Sequence, residues 1–266
     1  MAGPRRYDVS ALTDAVAAQW RTLATAAATV TPAEAAAPSS LGDWTVADLL
    51  AHVAASVAAV HRSVTGPLPA APTGGLFDHL AATGAAAAGI AERARSLAVE
   101  ATPAGLAELL RANADAATAA LTATLAHDPG RLAATRLGAL PLADWLVTRL
   151  VEAAVHTLDL GRALGRPVAV EPTAMRVAVQ ALADLLAARA PGPAVEVRIP
   201  PYAAVQCVAG PRHTRGTPAN VVELATPADW LLLATGRLPW SEALATGSVR
   251  ASGERADLAR LLPLMS

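Results

Sequence analysis

From Ser10 to about Leu164 the apolar positions recur at three- and four-residue intervals, the period of amphipathic helices. The pattern predicts helices over Ser10–Thr29, Thr45–Val64, Leu76–Ala98, Pro103–Ala126 and Pro141–Leu164. Pro32, the stretch TGPLPAAPTGG and the tetrad HDPG interrupt it with turn formers. The segment AATGAAAAGIAERA is low in complexity, but alanine forms helices readily, so it reads as helix rather than linker. Four principal antiparallel helices, packed as a bundle, are the economical way to bury such stripes. After Arg166-Pro167 the period changes. A helix over Pro172–Ala190 ends at PGP, and strand-like runs follow in AVEVRI, AAVQCV, NVVEL and GSVRAS. TPADWLLLATG reads as a short helix ended by Gly236, and ERADLARLLPL as a closing helix. The expected fold class is α plus α+β: a helical bundle over residues 1–167, then a small α+β domain over 168–266. All substantial strands are expected after residue 167.

Within the bundle, two helices carry unusual polar positions. The segment beginning at Thr45 has a Thr-x-x-Asp start signal with Asp48. Its buried face is marked by Val46, Leu49, Leu50, Val53, Val57, Val60 and Val64, and His52 lies at the edge of that face near Ser56 and Ser63. In the segment from Pro141, proline suits a first helical position, Asp144 favours the positive end, and Gly165 with Arg166-Pro167 stops the helix. At about 100° per residue, Trp145, Arg149, Glu152, His156 and Asp159 fall on one narrow stripe of an otherwise apolar cylinder. Glu152 and His156, four apart, stand one turn above each other and can converge on one ion. With His52 they make two imidazoles and a carboxylate, a set that holds a divalent metal and leaves a coordination position open. The same stripe also suits a solvated strip, because Arg149 with Glu152 and Asp159 with Arg162 have ion-pair spacing. Asp159 has a further possible role, accepting a hydrogen bond from His156 and fixing its tautomer.

Composition narrows the function. Aromatic residues are only 3% against 53% hydrophobic, which favours closely packed helices with small side chains. The 21 basic residues are all arginine, a bias of GC-rich bacterial coding. A net charge of -1 leaves no footprint for nucleic acid. No apolar run is long enough to span a bilayer, and MAGPRRYDVS lacks a signal-peptide core, so a cytoplasmic protein without membrane attachment is expected. Cys207 is solitary in a strand-like run and reads as a buried, inert thiol. Any thiol chemistry therefore needs a small-molecule thiol. In the loop GPRHTRGTPAN, Arg212, His213 and Arg215 are candidate substrate-binding residues, since guanidinium groups recognise carboxylates in bidentate fashion.

GDWTVADLLAHV near residue 50 and RLVEAAVHTLDLGRALG near residue 150 resemble the mycothiol-dependent maleylpyruvate isomerase family, within the superfamily of DinB-like four-helix metalloenzymes. The resemblance implies that His52, Glu152 and His156 are metal ligands. TPADWLLLATGRLPW, ATGSVRASGERADLARLLPL and GPRHTRGTPANVVEL are similar to the sterol-carrier-like domain that follows the bundle in many members. The chain as a whole resembles the subgroup described as sterol carrier family proteins. The resemblance also implies mycothiol as cofactor beside a divalent metal, zinc being the first choice, and a catalytic arginine matched by Arg237. The expected function is S-transfer or cis-trans isomerisation of a small electrophilic, carboxylate-bearing substrate by a monomer or homodimer. The alternative is a non-catalytic carrier of apolar ligands with a vestigial metal site.

Overall fold

A computed structural model describes residues 5–84, 87–211 and 219–265. The chain divides into two compact units, Tyr7–Ala174 and Met175–Ser266, the latter joined by the N-terminal stretch through Arg6.

The first unit is a bundle of α1 (Val9–Ala27), α3 (Val46–Thr65), α6 (Pro103–His127) and α7 (Leu142–Ala163). α1 and α3 lie at opposite corners, each packed on both α6 and α7. Trp20, Leu23, Leu49, Leu50, Leu106 and Leu146 are fully buried at the centre. Buried alanines on every helix, such as Ala17, Ala54, Ala117 and Ala154, let the backbones approach closely. A buried polar link joins α1 to α7 across this core. Gln19 Nε2 donates to Thr157 Oγ1 at 2.8 Å, and Gln19 Oε1 accepts from the Glu171 amide at 2.8 Å. Both ends of the buried carboxamide are thus satisfied.

Four local features differ from the periodic reading. The stretch at Pro32 forms a short helix, α2 (Pro32–Ala36), started by a Thr31–Glu34 capping box. The helix expected over Leu76–Ala98 is two pieces, α4 (Leu76–Ala82) and α5 (Ala87–Val99). Thr83 Oγ1 turns back onto the Leu80 carbonyl at 2.7 Å where α4 ends. A hairpin of β1 (Leu132–Thr135) and β2 (Gly138–Pro141) precedes α7, so a small two-stranded ladder lies before residue 167. Thr73 borders it, with its amide on the Ala139 carbonyl and its hydroxyl accepting from the Ala139 amide. Gly138, at φ +120°, sits where a Cβ would strike that hydroxyl. Pro141 consequently stands as the extended residue before α7 rather than as its first helical position.

α8 (Pro172–Arg189), which enters the second unit at Met175, precedes a four-stranded sheet in the order β4-β3-β5-β6. The strands are β3 (Val195–Ile199), β4 (Ala203–Cys207), β5 (Val221–Leu224) and β6 (Val249–Ser252). β3 pairs antiparallel with β4 and parallel with β5, and β5 pairs antiparallel with β6. Val195, Val197 and Ile199 alternate inward along β3, as a half-buried strand requires. α9 (Pro227–Ala234) buries Trp230, whose indole N–H donates to the Val179 carbonyl. Gly236 follows at φ +77°, the left-handed terminator expected. α10 (Trp240–Thr246) is an element the apolar pattern did not announce. The closing helix expected from Glu254 is reduced to one 3-10 turn at Ala259–Leu261, because Pro263 drives Leu262 into extended backbone.

Candidate metal centre

The site arises where α3 and α7 face each other. α3 is started firmly: Thr45 Oγ1 accepts from the Asp48 amide, and Asp48 Oδ2 accepts from the Thr45 amide at 2.8 Å. Two turns on, its buried valines and leucines leave His52 and Ser56 on the side turned toward α7. On α7 the stripe Trp145, Arg149, Glu152, His156, Asp159 meets them.

His52, Glu152 and His156 each offer a ligand atom, and these atoms lie within 4.8 Å of one another. His52 Nε2 is 3.0 Å from Glu152 Oε1, and the two imidazoles meet edge to face with centroids 4.8 Å apart. Trp44 packs edge-on against His52 at 5.4 Å. His156 Nδ1 is 2.9 Å from Asp159 Oδ2. That contact favours the tautomer protonated at Nδ1, whose Nε2 lone pair is then the ligand atom. Side-chain exposures of 11%, 19% and 12% for His52, Glu152 and His156, and 3% for Asp159, rule out a solvated strip.

Arg149 belongs to the same cluster rather than to a surface ion pair. Its guanidinium lies 4.0 Å over the Trp145 ring, with Nε donating to Thr148 Oγ1 at 3.1 Å. Nη1 donates to Ser56 Oγ at 2.9 Å and to Glu152 Oε2, which also accepts from Ser56 Oγ. Burial pushes the Glu152 carboxyl up, but Arg149, His52 and His156 together outweigh it and hold the group well below the usual carboxylate range. Burial likewise works against the Arg149 charge, and Glu152 restores part of it. Behind Trp145, His79 of α4 stacks edge-on at 5.2 Å. Burial, assisted by the Arg149 charge and opposed by Glu152, lowers the His79 imidazole to about 4.

The donor set suits a divalent ion of intermediate softness: two imidazole nitrogens and one carboxylate oxygen, already ionised. Around an ion at about 2.1 Å, tetrahedral ligand atoms stand about 3.4 Å apart. The ligand atoms, within 4.8 Å of one another, would have to draw closer to hold such an ion.

The other sequence candidates are not on the bundle helices that carry the triad. Arg237 is in the second unit, just beyond α9, where Nη1 donates to the Thr235 carbonyl at 3.1 Å. Arg212, His213 and Arg215 fall outside the described residues. Cys207 is fully buried at the end of β4, and burial pushes its thiol up to about 11. Sequence reasoning missed Trp44, which packs on His52 from just before the start of α3, and His79, which reaches Trp145 from α4. Ser56, one turn beyond His52, carried a legible signal.

Residues 16–161 match the family described as the mycothiol maleylpyruvate isomerase N-terminal domain, and residues 171–264 that described as bacterial SCP ortholog. Among solved structures, the fold is similar to a mycothiol-dependent maleylpyruvate isomerase, with 18% identity and a TM-score of 0.63, covering 94% of this chain and 95% of that one. A mutant of that isomerase gives 17% identity with the same TM-score and coverage. No curated protein matches.

Proposed function

The chain belongs to the mycothiol maleylpyruvate isomerase family, with a DinB-like bundle followed by an SCP-like domain, and from that premise we propose a metal-dependent enzyme that uses a low-molecular-weight thiol of the mycothiol type. Its reaction is cis-trans isomerisation, or S-transfer, on a small electrophilic substrate bearing a carboxylate. The observation that carries this reading is the convergence of His52, Glu152 and His156 within 4.8 Å, the residues that the sequence resemblance implies as ligands.

His52, Glu152 and His156 would hold the ion, for which zinc is the first choice. When bound, a divalent ion supplies Lewis acidity that favours thiolate over thiol at neutral pH. Asp159 keeps the His156 ring oriented. Glu152 brings one negative charge that lowers the net charge of the centre and, with Arg149 and His52 beside it, stays ionised. Cys207 is unsuited as the nucleophile: it is buried in the second unit and its thiol is held near 11, so thiolate is scarce at neutral pH. The sulfur must then come from an exogenous thiol. Its addition to the activated double bond, rotation about the resulting single bond and elimination return the thiol and give the trans product. Arg237 is our candidate for the substrate carboxylate, on the strength of the sequence resemblance, with Arg212, His213 and Arg215 as further candidates.

The test supplies zinc-loaded protein with mycothiol and maleylpyruvate, then a panel of other electrophiles. Wild-type protein should convert cis to trans substrate or consume thiol, and His52→Ala should not. Equal rates in both would exclude the triad from catalysis. No turnover across the panel, with stoichiometric binding of an apolar ligand, would favour a carrier.

A further inference from the structure

The carboxylate of Glu152 is divided between two sets of neighbours. Oε1 faces His52 Nε2 at 3.0 Å, on the side where the triad converges. Oε2 is taken by Ser56 Oγ and by Arg149 Nη1, which are themselves joined at 2.9 Å. Arg149 is in turn fixed through three contacts: Thr148 on its Nε, the Trp145 ring beneath its plane, and Ser56 on α3. A guanidinium with that many directional restraints, 11% exposed, is a rigid clamp rather than a mobile counter-ion.

We infer that Arg149 and Ser56 act as positioning residues that reserve one Glu152 oxygen, so that the carboxylate presents only Oε1 to the ion. This inference rests on the metal reading above. Its physical content concerns the open position. A carboxylate released from Oε2 partners can rotate to bind through both oxygens, filling a place that an external thiolate needs. A carboxylate clamped at Oε2 cannot, and its charge is shared with Arg149, which leaves the ion a stronger acid toward the incoming thiol. The clamp is built across the two helices that carry the ligands, one donor from each, so it also sets their spacing. Lysine at position 149 would supply charge without the fork that reaches Thr148, Ser56 and Glu152 together.

The experiment uses the full-length protein loaded with cobalt(II), whose visible bands weaken as coordination number rises, and titrates it with 2-mercaptoethanol. Wild-type protein should show the intense bands of low coordination, and a near-ultraviolet thiolate-to-cobalt band should grow with added thiol. In Arg149→Met and Ser56→Ala, cobalt should still bind, the visible bands should weaken, and half-saturation by thiol should need about 10–100-fold more. Arg149→Lys should fall between. X-ray absorption should count one more oxygen around cobalt in Arg149→Met than in wild type. Bound cobalt with spectra and thiol titrations identical to wild type would overturn the clamp while leaving the metal reading intact. Complete loss of cobalt in Ser56→Ala would also overturn it, by making the clamp necessary to the site itself. Failure of wild-type protein to take up cobalt would remove the metal reading, and the clamp with it. Circular dichroism guards against misfolding of Arg149→Met, and Ser56→Ala, which leaves no buried charge unpaired, decides if that variant does not fold.

Discussion

His79 is a histidine that burial keeps neutral. Its ring is 6% exposed, stacked on Trp145, and its Nδ1 has no hydrogen-bond partner among the described residues. In the unfolded chain it protonates near 6.5, in the folded protein only near 4. Between those values the unfolded state binds more protons, so stability must fall as pH drops through the window and level out below it. Thermal melts of wild type and His79→Leu from pH 7 to 4 should show a smaller loss in the variant. Equal slopes would mean His79 does not contribute. Asp159 acts at the same scale, through the ring it orients. Asp159→Asn should weaken zinc affinity about 10–100-fold with little change in secondary structure, read by competition with a chromophoric chelator. Unchanged affinity would make the His156 contact incidental.

Among the elements, α3 and α7 do most to define the site, and both were legible because their apolar positions follow the helical period over five turns or more. The Thr45–Asp48 box fixes where α3 begins and hence which residues sit two turns later. Replacing Thr45 with alanine should cost about 1 kcal/mol of stability, measured by denaturant unfolding, and a value near zero would show the cap is dispensable. The i, i+4 spacing of Glu152 and His156 was equally legible, since it depends on one helix alone. Contacts between elements were not. Nothing in spacing links Ser56 to Glu152 or His79 to Trp145, which meet only after α3, α4 and α7 pack. The β1–β2 hairpin escaped because its connection, Arg136-Leu137, carries no Asn-Gly signature. α10 escaped because seven residues are too few to display a period. The closing helix was over-read: its apolar spacing suits a helix, but Pro263 restricts the residue before it.

At the scale of the whole molecule, the bundle holds the ligand triad, and the SCP-like unit holds both Cys207 and Arg237. The account assigns these last two opposite weights. Cys207→Ala should leave thiol-dependent turnover unchanged, because that thiol is buried and held near 11. Arg237→Ala should lower turnover while zinc content stays constant, which separates substrate handling from metal binding; equal turnover would remove Arg237 from the reaction. No helix among the described residues is long and apolar enough to cross a membrane. The central claim is that the triad holds an ion, and equilibrium dialysis against zinc tests it most directly. Wild-type protein should retain a single zinc per chain, while His52→Ala, Glu152→Ala and His156→Ala should each lose it yet keep their helical content. A wild-type protein that emerges free of zinc, or triad variants that retain it equally, would contradict the account.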